Sequence, residues 1–243
     1  MDFTLSEEQV ELKEAARAWL ADRFPLDRDW ENQDERWSEL EELGWLDVAE
    51  AGLGFVEEAL LLEELGYACY PGFYLAHVAS LTGSGDTATV DPTRPLWPME
   101  ETPRFRAAAA AEALGVAQRA LDLGVEHAKT RTQFGKPIGT YQAVSHPLAQ
   151  TYTDVELARS LVYWAAWCVA EEDERAPLAA ASAKAFATEA AVAACERSIQ
   201  VHGGIGFTWE HPLHRFYKRA IWLEGFGARP AELRLEVADR LLA

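Results

Sequence analysis

Two short stretches combine hydrogen-bond donors with glycines, and each follows a segment with helical periodicity. The first is Arg131-Thr-Gln-Phe-Gly135, and the second is Gln200-Val-His-Gly-Gly-Ile-Gly-Phe207. Glycine lets backbone N–H groups approach an anionic ligand closely, and an arginine can bind a pyrophosphate through two parallel hydrogen bonds. The two stretches therefore indicate a site for an anionic ligand at the ends of helices.

The same residues also have a simpler explanation. Both groups of glycines lie where helix C-caps are expected, and Arg131 is then a solvated cation that the helix dipole favours in the last turn. Spacing alone does not decide between a ligand site and two helix ends.

The charge of the chain is divided unevenly between its two parts. Residues 1–103 contain 24 acidic and six basic side chains, whereas residues 104–243 contain 16 of each, so the net charge of −18 belongs to the first part. Sequence-independent nucleic-acid binding needs a basic face, and this class of protein is therefore disfavoured. The neutral second part is the better place for an anionic ligand.

The composition is that of a soluble globular protein, with 49% apolar and 26% charged residues among 243. No run of eighteen apolar residues occurs, so no membrane-spanning helix is predicted. The N-terminus is acidic and amphipathic and lacks the features of a signal peptide, which predicts a cytoplasmic location.

The cysteines and histidines of the sequence favour neither disulfide bonds nor a metal site. The three cysteines form no Cys-x-x-Cys pair, so neither a disulfide framework nor a structural zinc site is expected. His211 and His214 lie three residues apart, but no further ligands accompany them. Because no Glu-x-x-His occurs, a di-iron carboxylate bundle is disfavoured as well.

The apolar periodicity predicts an all-α protein with an N-terminal helical domain, residues 1–82. A capping-box pattern at Ser6 begins its first helix, which ends at Phe24. Three further helices are predicted over about Glu35–Leu43, Phe55–Leu65 and Phe73–Leu81. Gly44 and Gly66 lie where left-handed C-caps would end the second and third helices.

A linker and a C-terminal bundle complete the predicted architecture. Residues 83–103 contain four prolines and two glycines, which is typical of a linker. Residues 104–243 predict an antiparallel four-helix bundle with short turns. Five helical segments are expected in this part, four of them making the bundle, over about Arg104–Thr132, Thr140–Glu172, Pro177–Val201, Leu213–Leu223 and Ala231–Leu242. In the second of these, apolar or small residues alternate at spacings of four and three, which indicates a packing seam.

Four stretches of the sequence resemble acyl-CoA dehydrogenases. RTQFGKPIGTYQAVSHPLAQ and IQVHGGIGFTWEHPLHRFYKRA are similar to the two signature stretches of that family's C-terminal helical domain. EEQVELKEAARAWL and the run from WSELEELGWLDVAE to EELGYACYP resemble its N-terminal helical domain. Together these matches cover most of the chain.

The resemblance implies an FAD site and the residues that form it. Arg131 and Gln142, eleven residues apart, match the arginine and glutamine that bind FAD in the family. Gln133 and Phe134 match positions that line the same site. The Gln-x-x-Gly-Gly stretch, which by resemblance binds the FAD of the neighbouring subunit, is Gln200, Gly203 and Gly204.

Two departures from the family pattern are evident. Such enzymes normally place a β-barrel domain, which contacts the flavin ring and the acyl thioester, between the helical halves, and only the 83–103 linker stands there. Their catalytic glutamate removes the α-proton of an acyl-CoA while a hydride leaves the β-carbon. At its usual position this chain has Gly227, and at the alternative position near the start of the first C-domain helix it has Phe105.

Two nearby glutamates are candidates for a displaced base. Glu112 lies seven residues past Phe105, two turns along the same helix face, and Glu224 lies three residues before Gly227. Each is alternatively a solvated charge or one half of an ion pair between packed helices.

The resemblance suggests a supporting role. Some bacterial members of the family, notably those that shorten steroid side chains, are α2β2 heterotetramers in which one subunit carries the base and the other completes the FAD site. We therefore expect a non-base subunit that acts on an acyl-CoA with a larger acyl-CoA dehydrogenase subunit, and an electron-transfer flavoprotein is a further partner that the resemblance allows. The alternative is a non-enzymatic helical protein for assembly or acyl-CoA binding, which would contain no flavin.

Overall fold

The expected all-α architecture is confirmed in the computed structural model, which describes residues 4–28, 36–48, 52–72, 74–80 and 101–242. The N-terminal helices are α1 (Glu7–Arg23), α2 (Trp37–Glu42), α3 (Phe55–Ala68) and α4 (Tyr74–Ser80), with a short 3-10 turn at Trp45–Asp47. Most of the predicted linker falls outside the described residues, so its boundaries stay a prediction.

The capping box at Ser6 is present as the sequence predicts. Its hydroxyl accepts a hydrogen bond from the Gln9 N–H (3.2 Å), and the Gln9 side chain accepts one from the Ser6 N–H (3.0 Å). Both donors would otherwise be unsatisfied at the start of α1.

The prediction that Gly66 ends the third helix is wrong. Helix α3 continues to Ala68, and Cys69 takes the left-handed conformation after it (φ 53°). Gly66 lies where α3 crosses the first C-terminal helix, and a Cβ there would come within 2.1 Å of the Glu112 carbonyl oxygen. This glycine permits close backbone packing and does not act as a cap.

The C-terminal half contains three long helices and two shorter ones. They are α5 (Pro103–Thr130), α6 (Gln142–Ala170), α7 (Ala176–His202), α8 (Leu213–Gly225) and α9 (Pro230–Leu242). A hairpin of two-residue strands, β1 (Thr132–Gln133) and β2 (Lys136–Pro137), followed by a 3-10 turn at Ile138–Thr140, connects α5 to α6. A second 3-10 segment, Gly203–Phe207, follows α7.

Helices α5, α6 and α7 pack together, and α8 and α9 lie against α7. Around Gly124 of α5, side-chain atoms of Leu148 and Ser198 lie within 3.5 Å of the position a Cβ would take. Leu148 is near the start of α6, whereas Gly124 and Ser198 are near the ends of α5 and α7. Therefore α6 runs antiparallel to both neighbours.

The predicted seam of α6 lies inside the chain. From Leu148 to Ala165 each residue of the alternating pattern is buried. These residues join one hydrophobic core that continues into α1, α3 and α5, so both halves of the chain share their core.

Helix α3 places carboxylates in this core, and each has a cationic partner. Glu63 pairs with Lys13 of α1 and Arg159 of α6, and Glu64 pairs with Arg17. A buried carboxylate is tolerated only when it is paired and hydrogen-bonded. These pairs therefore fix α3 between α1 and the bundle.

Helix α7 is the central helix of the fold. By length and composition, Ala176–Phe207 is a segment among the described residues that is long and apolar enough to cross a membrane. Two thirds of its most apolar stretch (67%) is buried against other helices. Burial on this scale is that of a core helix.

Candidate functional site

One end of the bundle collects all seven residues that the resemblance assigns to FAD binding. Helices α5 and α7 end there and α6 begins there, so Arg131, Gln142 and Gln200 share this end with the β1–β2 hairpin. We call it the hairpin end. The residues come together because α5 and α7 are parallel, which linear spacing does not reveal.

The hairpin presents its side chains outwards. Phe134 has a positive φ (52°) and Gly135 follows with φ 82°, which makes a tight turn between the strands. Phe134 is 92% exposed, and Gln133 and Gln142 are exposed too. Arg131, the residue after α5, is exposed, and no carboxylate among the described residues forms an ion pair with it.

The end of α7 provides an open backbone surface. Gly203 has φ 62°, and neither Gly203 nor Gly204 has an atom within 4 Å of the position a Cβ would take. Gln200 is exposed in the last turn of α7. The expectation that glycine caps this helix end is also met, since the Gly203 N–H donates to the Ile199 and Gln200 carbonyls.

Three histidines lie beside these residues; of these, His211 is weighed above only as a metal ligand, and the stack of rings is not predicted from the sequence. The His202 ring stacks on His127 (4.2 Å between centroids), and His211 packs on His202 (4.3 Å). Burial lowers the pKa of all three, and that of His211 to about 4. His127 lies one turn before Arg131, so a charged imidazole here would face another cation. The four-residue spacing between His127 and Arg131 was the only sign in the sequence that a histidine lies beside this site.

The donor set at the hairpin end fits an FAD molecule. The Arg131 guanidinium, which has no carboxylate partner in the described part of the chain, suits a pyrophosphate. The exposed amides of Gln142 and Gln200 suit polar groups, and Phe134 offers an aromatic face. The open backbone at Gly203 and Gly204 lets a ligand approach main-chain atoms. In the described parts of the chain no group of three or more His, Cys, Asp or Glu side chains could hold a metal ion.

The opposite end of the bundle contains both positions at which the family carries its base. The Phe105 ring packs on Phe226 (5.3 Å), the residue before Gly227. Gly227 has φ 72°. The fold thus brings the two alternative base positions to one place, although they are far apart in sequence.

An ion pair between the buried Lys184 and the partly exposed Glu101 fills the space at Gly227. Lys184 Nζ donates to Glu101 Oε1 (2.7 Å) and to the carbonyls of Phe226 (2.6 Å) and Ala228 (3.1 Å). The Ala228 N–H also donates to Glu101 Oε1 (2.9 Å). A Cβ at Gly227 would lie 2.6 Å from that same carboxylate oxygen.

Glu101 is therefore a carboxylate at the base position that sequence reasoning missed. Burial raises its pKa, but the hydrogen bonds from Lys184 and the Ala228 N–H outweigh this, and the net shift is downward. A carboxylate with a lowered pKa and its lone pairs engaged is a poor proton acceptor. The signal in the sequence was its position one turn before Phe105.

The two proposed substitutes for the base lie elsewhere. Glu112 is buried where α5 crosses α3 and pairs with Arg219 of α8 at 2.5 Å. One of its oxygens has no hydrogen-bond partner among the described residues. Glu224 is half-buried, and burial together with the nearby Glu189 and Glu196 raises its pKa.

Comparison with known proteins relates both halves of the chain to one family. The Acyl-CoA dehydrogenase, C-terminal domain family matches residues 97–238, and the Acyl-CoA dehydrogenase, N-terminal domain family matches residues 6–85. Acyl-CoA dehydrogenase IpdE2 of Mycobacterium tuberculosis is 44% identical over 145 residues, which are 55% of this chain and 44% of that protein. The chain thus matches less than half the length of this relative.

Two solved structures share the fold over its whole length. The Tcur3481–Tcur3483 steroid ACAD has a TM-score of 0.80 at 24% identity and is matched over 98% of this chain and 99% of that chain. The ChsE4–ChsE5 complex from Mycobacterium tuberculosis has a TM-score of 0.80 at 21% identity, over 100% of this chain and 99% of that chain. The two matched domains account for most of the sequence, and the chain belongs to the acyl-CoA dehydrogenase family.

Proposed function

We propose that this chain is the supporting subunit of an FAD-dependent acyl-CoA dehydrogenase, in which a larger partner subunit supplies the catalytic glutamate. One observation carries the proposal. The residues that the resemblance assigns to FAD binding lie at the hairpin end, and all of them are exposed except Gly203, which is partly exposed. The position of the family's base is instead a left-handed glycine packed against the Glu101–Lys184 pair.

The family is FAD-dependent, and bound FAD supplies the hydride acceptor for α,β-desaturation of an acyl-CoA thioester. In this chain the Arg131 guanidinium binds the pyrophosphate, and Gln142 donates to a neighbouring polar group of the cofactor. Gln200, Gly203 and Gly204 contact the FAD of the adjoining subunit. Arg131, Gln142, Gln200 and Gly204 are exposed and Gly203 is partly exposed. This supports the five roles, because each residue can be reached from outside the chain.

The two ends of the bundle cannot serve one cofactor within a single chain. Phe105 and Arg131 lie on the same helix, 26 residues apart, which corresponds to about 39 Å along its axis. This exceeds the length of an extended FAD molecule. A flavin bound at Arg131 therefore reaches its acyl-CoA substrate and base in another subunit.

Structural neighbours support a partner of unlike sequence. Both the Tcur3481–Tcur3483 steroid ACAD and the ChsE4–ChsE5 complex contain two named components, and their matched chains align almost end to end with this one. By this comparison we propose an α2β2 heterotetramer that acts on a steroid-derived or other acyl-CoA in the cytoplasm. The electron acceptor we propose is an electron-transfer flavoprotein.

Flavin content of the purified complex tests the proposal. Arg131→Ala removes a charge-assisted contact worth roughly 1.5–3 kcal/mol, so FAD should bind about 10- to 150-fold more weakly. Bound flavin is measured by absorbance during titration with limiting FAD. Lys129→Ala is the matched control, since it removes an exposed positive charge two residues away.

Two results would contradict the proposal. Unchanged FAD affinity in Arg131→Ala would show that this end of the bundle does not hold the pyrophosphate. A fully assembled complex that contains no flavin, even with FAD added, would favour the non-enzymatic assembly protein.

A further inference from the structure

A cavity of about 260 Å³ lies between α1, α3 and α5, away from both ends of the bundle. Apolar side chains such as Leu20 and Phe24 of the α1 region form much of its wall. Arg119 of α5, which also lines it, is 12 residues from Arg131 and 14 from Phe105. The cavity is therefore about 18 Å or more along α5 from either proposed functional region.

Two guanidinium groups meet around one aromatic ring in this cavity. The Arg17 Cζ lies 4.0 Å from the centroid of the Tyr67 ring, and the Arg119 Cζ lies 4.8 Å from it. Arg119 Nη1 also donates a hydrogen bond to the Tyr67 hydroxyl (2.9 Å). The ring holds both cations at the cavity wall through cation–π contacts.

Only one of these cations has a carboxylate partner in the described parts of the chain. Arg17 forms a two-point ion pair with the buried Glu64 (2.6 and 2.9 Å). Arg119 forms no ion pair there. Asp122 accepts from the Tyr67 hydroxyl (2.8 Å), the same hydroxyl to which Arg119 donates, and does not itself form an ion pair with Arg119.

We propose that this cavity binds a compact apolar monocarboxylic acid, with the carboxylate paired to Arg119. The charged side chains that line the cavity, Arg17, Arg119 and Glu64, leave one positive charge uncompensated. A planar guanidinium binds a carboxylate through two hydrogen bonds, and Leu20 and Phe24 then cover the apolar body. The volume is slightly below the range of about 300–1,000 Å³ typical of drug-sized ligands, which selects a compact molecule.

Adamantane-1-carboxylate is a suitable probe, because it is compact, apolar and carries one carboxylate. Binding to the full-length chain is measured by isothermal titration calorimetry. We expect a Kd of about 1 mM or tighter. The neutral adamantane-1-carboxamide should bind at least about tenfold more weakly, because it cannot pair with the guanidinium charge.

Two variants and a control locate the site. Arg119→Gln should weaken binding of the acid by about tenfold or more, with little effect on the amide. Ala68→Phe fills the cavity and should weaken both ligands. Arg240→Gln, which changes an exposed arginine on α9, should bind like the parent chain.

The proposal is overturned if the acid shows no binding up to about 10 mM, or if the amide binds equally well. It is also overturned if a folded Arg119→Gln variant binds the acid as the parent does. Inorganic phosphate that displaces the acid at equal concentration would show a general anion site and refute the carboxylic-acid assignment. If Arg119→Gln fails to fold by circular dichroism, the amide and Ala68→Phe comparisons still decide.

Discussion

Three glutamates are candidates for a catalytic base in this chain, and the structure shows what surrounds each carboxylate. Glu112 is held by Arg219, and Glu101 is held by Lys184. Glu224 has a raised pKa, but it lies beside Glu189 and Glu196 on α7 and faces repulsion from them. None has the combination of free lone pairs and a place at Gly227 that proton abstraction requires.

We therefore expect Glu101→Gln, Glu112→Gln and Glu224→Gln each to lower the kcat of the full complex less than tenfold, under about 1.4 kcal/mol of barrier. Flavin content and molar mass of each variant are measured alongside the rate. A thousandfold loss from one of them, with flavin and assembly intact, would identify a displaced base and refute the supporting role. Gly227→Glu would not restore the family's base without other changes, because the Cβ of the new side chain would collide with Glu101.

The buried Lys184 contributes to the stability of the folded chain, and this contribution can be measured. Lys184→Met removes the cation paired with Glu101 and leaves two carbonyls without their side-chain donor, so we expect a loss of about 2–4 kcal/mol in the free energy of unfolding at pH 7. Urea unfolding measures this quantity. Lys129→Met, at an exposed position, should change it by less than about 0.5 kcal/mol.

The pH dependence of the unfolding free energy is a second test of the role of Lys184. The Glu101 pKa is lowered in the folded state, so its contribution to stability is present above the unfolded pKa of about 4.3 and is lost as the pH falls through the folded value. Lys184→Met removes most of that contribution. An unaltered loss of stability on acidification below about pH 4.3 in the variant would contradict the assignment.

At the scale of elements, the crossing of α3 and α5 depends on two glycines. A Cβ at Gly66 would lie 2.1 Å from the Glu112 carbonyl oxygen, and one at Gly115 would lie 1.9 Å from the Glu63 carbonyl oxygen. Backbone atoms cannot give way as a flexible side chain does. The two helices can therefore approach this closely only because neither glycine carries a side chain at the crossing.

Gly66→Ala and Gly115→Ala should each lower the unfolding free energy by about 3 kcal/mol or more through overpacking. Gly225→Ala is the matched control, because no atom lies within 4 Å of its Cβ position and its φ is not positive. We expect no loss of stability in that variant. Thermal or urea unfolding compares the three, and equal stability of all of them would contradict the close crossing.

At the scale of the whole molecule, the α6 seam does not explain assembly. Its residues pack against α5 and α7 within the chain, so a long seam is no evidence for an interface. The hairpin end is a better candidate. Phe134 of the hairpin and Phe207 and Trp209, which follow α7, are 92%, 76% and 75% exposed, and large exposed apolar groups at one end of the bundle favour an interaction surface there.

We expect an obligate oligomer, an α2β2 heterotetramer with the partner, and light scattering at micromolar concentration measures it. Trp209→Glu should weaken assembly by about tenfold or more, since buried tryptophans often dominate interfaces. Leu43→Glu, at a side chain 44% exposed on the N-terminal half, should assemble normally. A monomeric parent chain in the presence of its partner would contradict the proposal.

The sequence by itself determined the helices and the family. Apolar periodicity and the Ser6 capping box are local signals, and they placed most helix boundaries within a few residues. By resemblance, the signature stretches named the positions that we propose to bind FAD and revealed the lack of a glutamate at Gly227. Local chemistry is enough for such inferences, because the residues involved are neighbours along the chain.

The tertiary structure decided what occupies the base position and what Gly66 does. Glu101, Lys184 and Gly227 are separated by more than forty residues from one another, and only the packing of α5, α7 and α8 brings them together. Gly66 has the sequence context of a cap, but the close approach of α5 requires a residue without a side chain. The histidine stack and the Arg119 cavity likewise arise from several helices, and a contact between distant segments leaves no periodic trace in a single sequence.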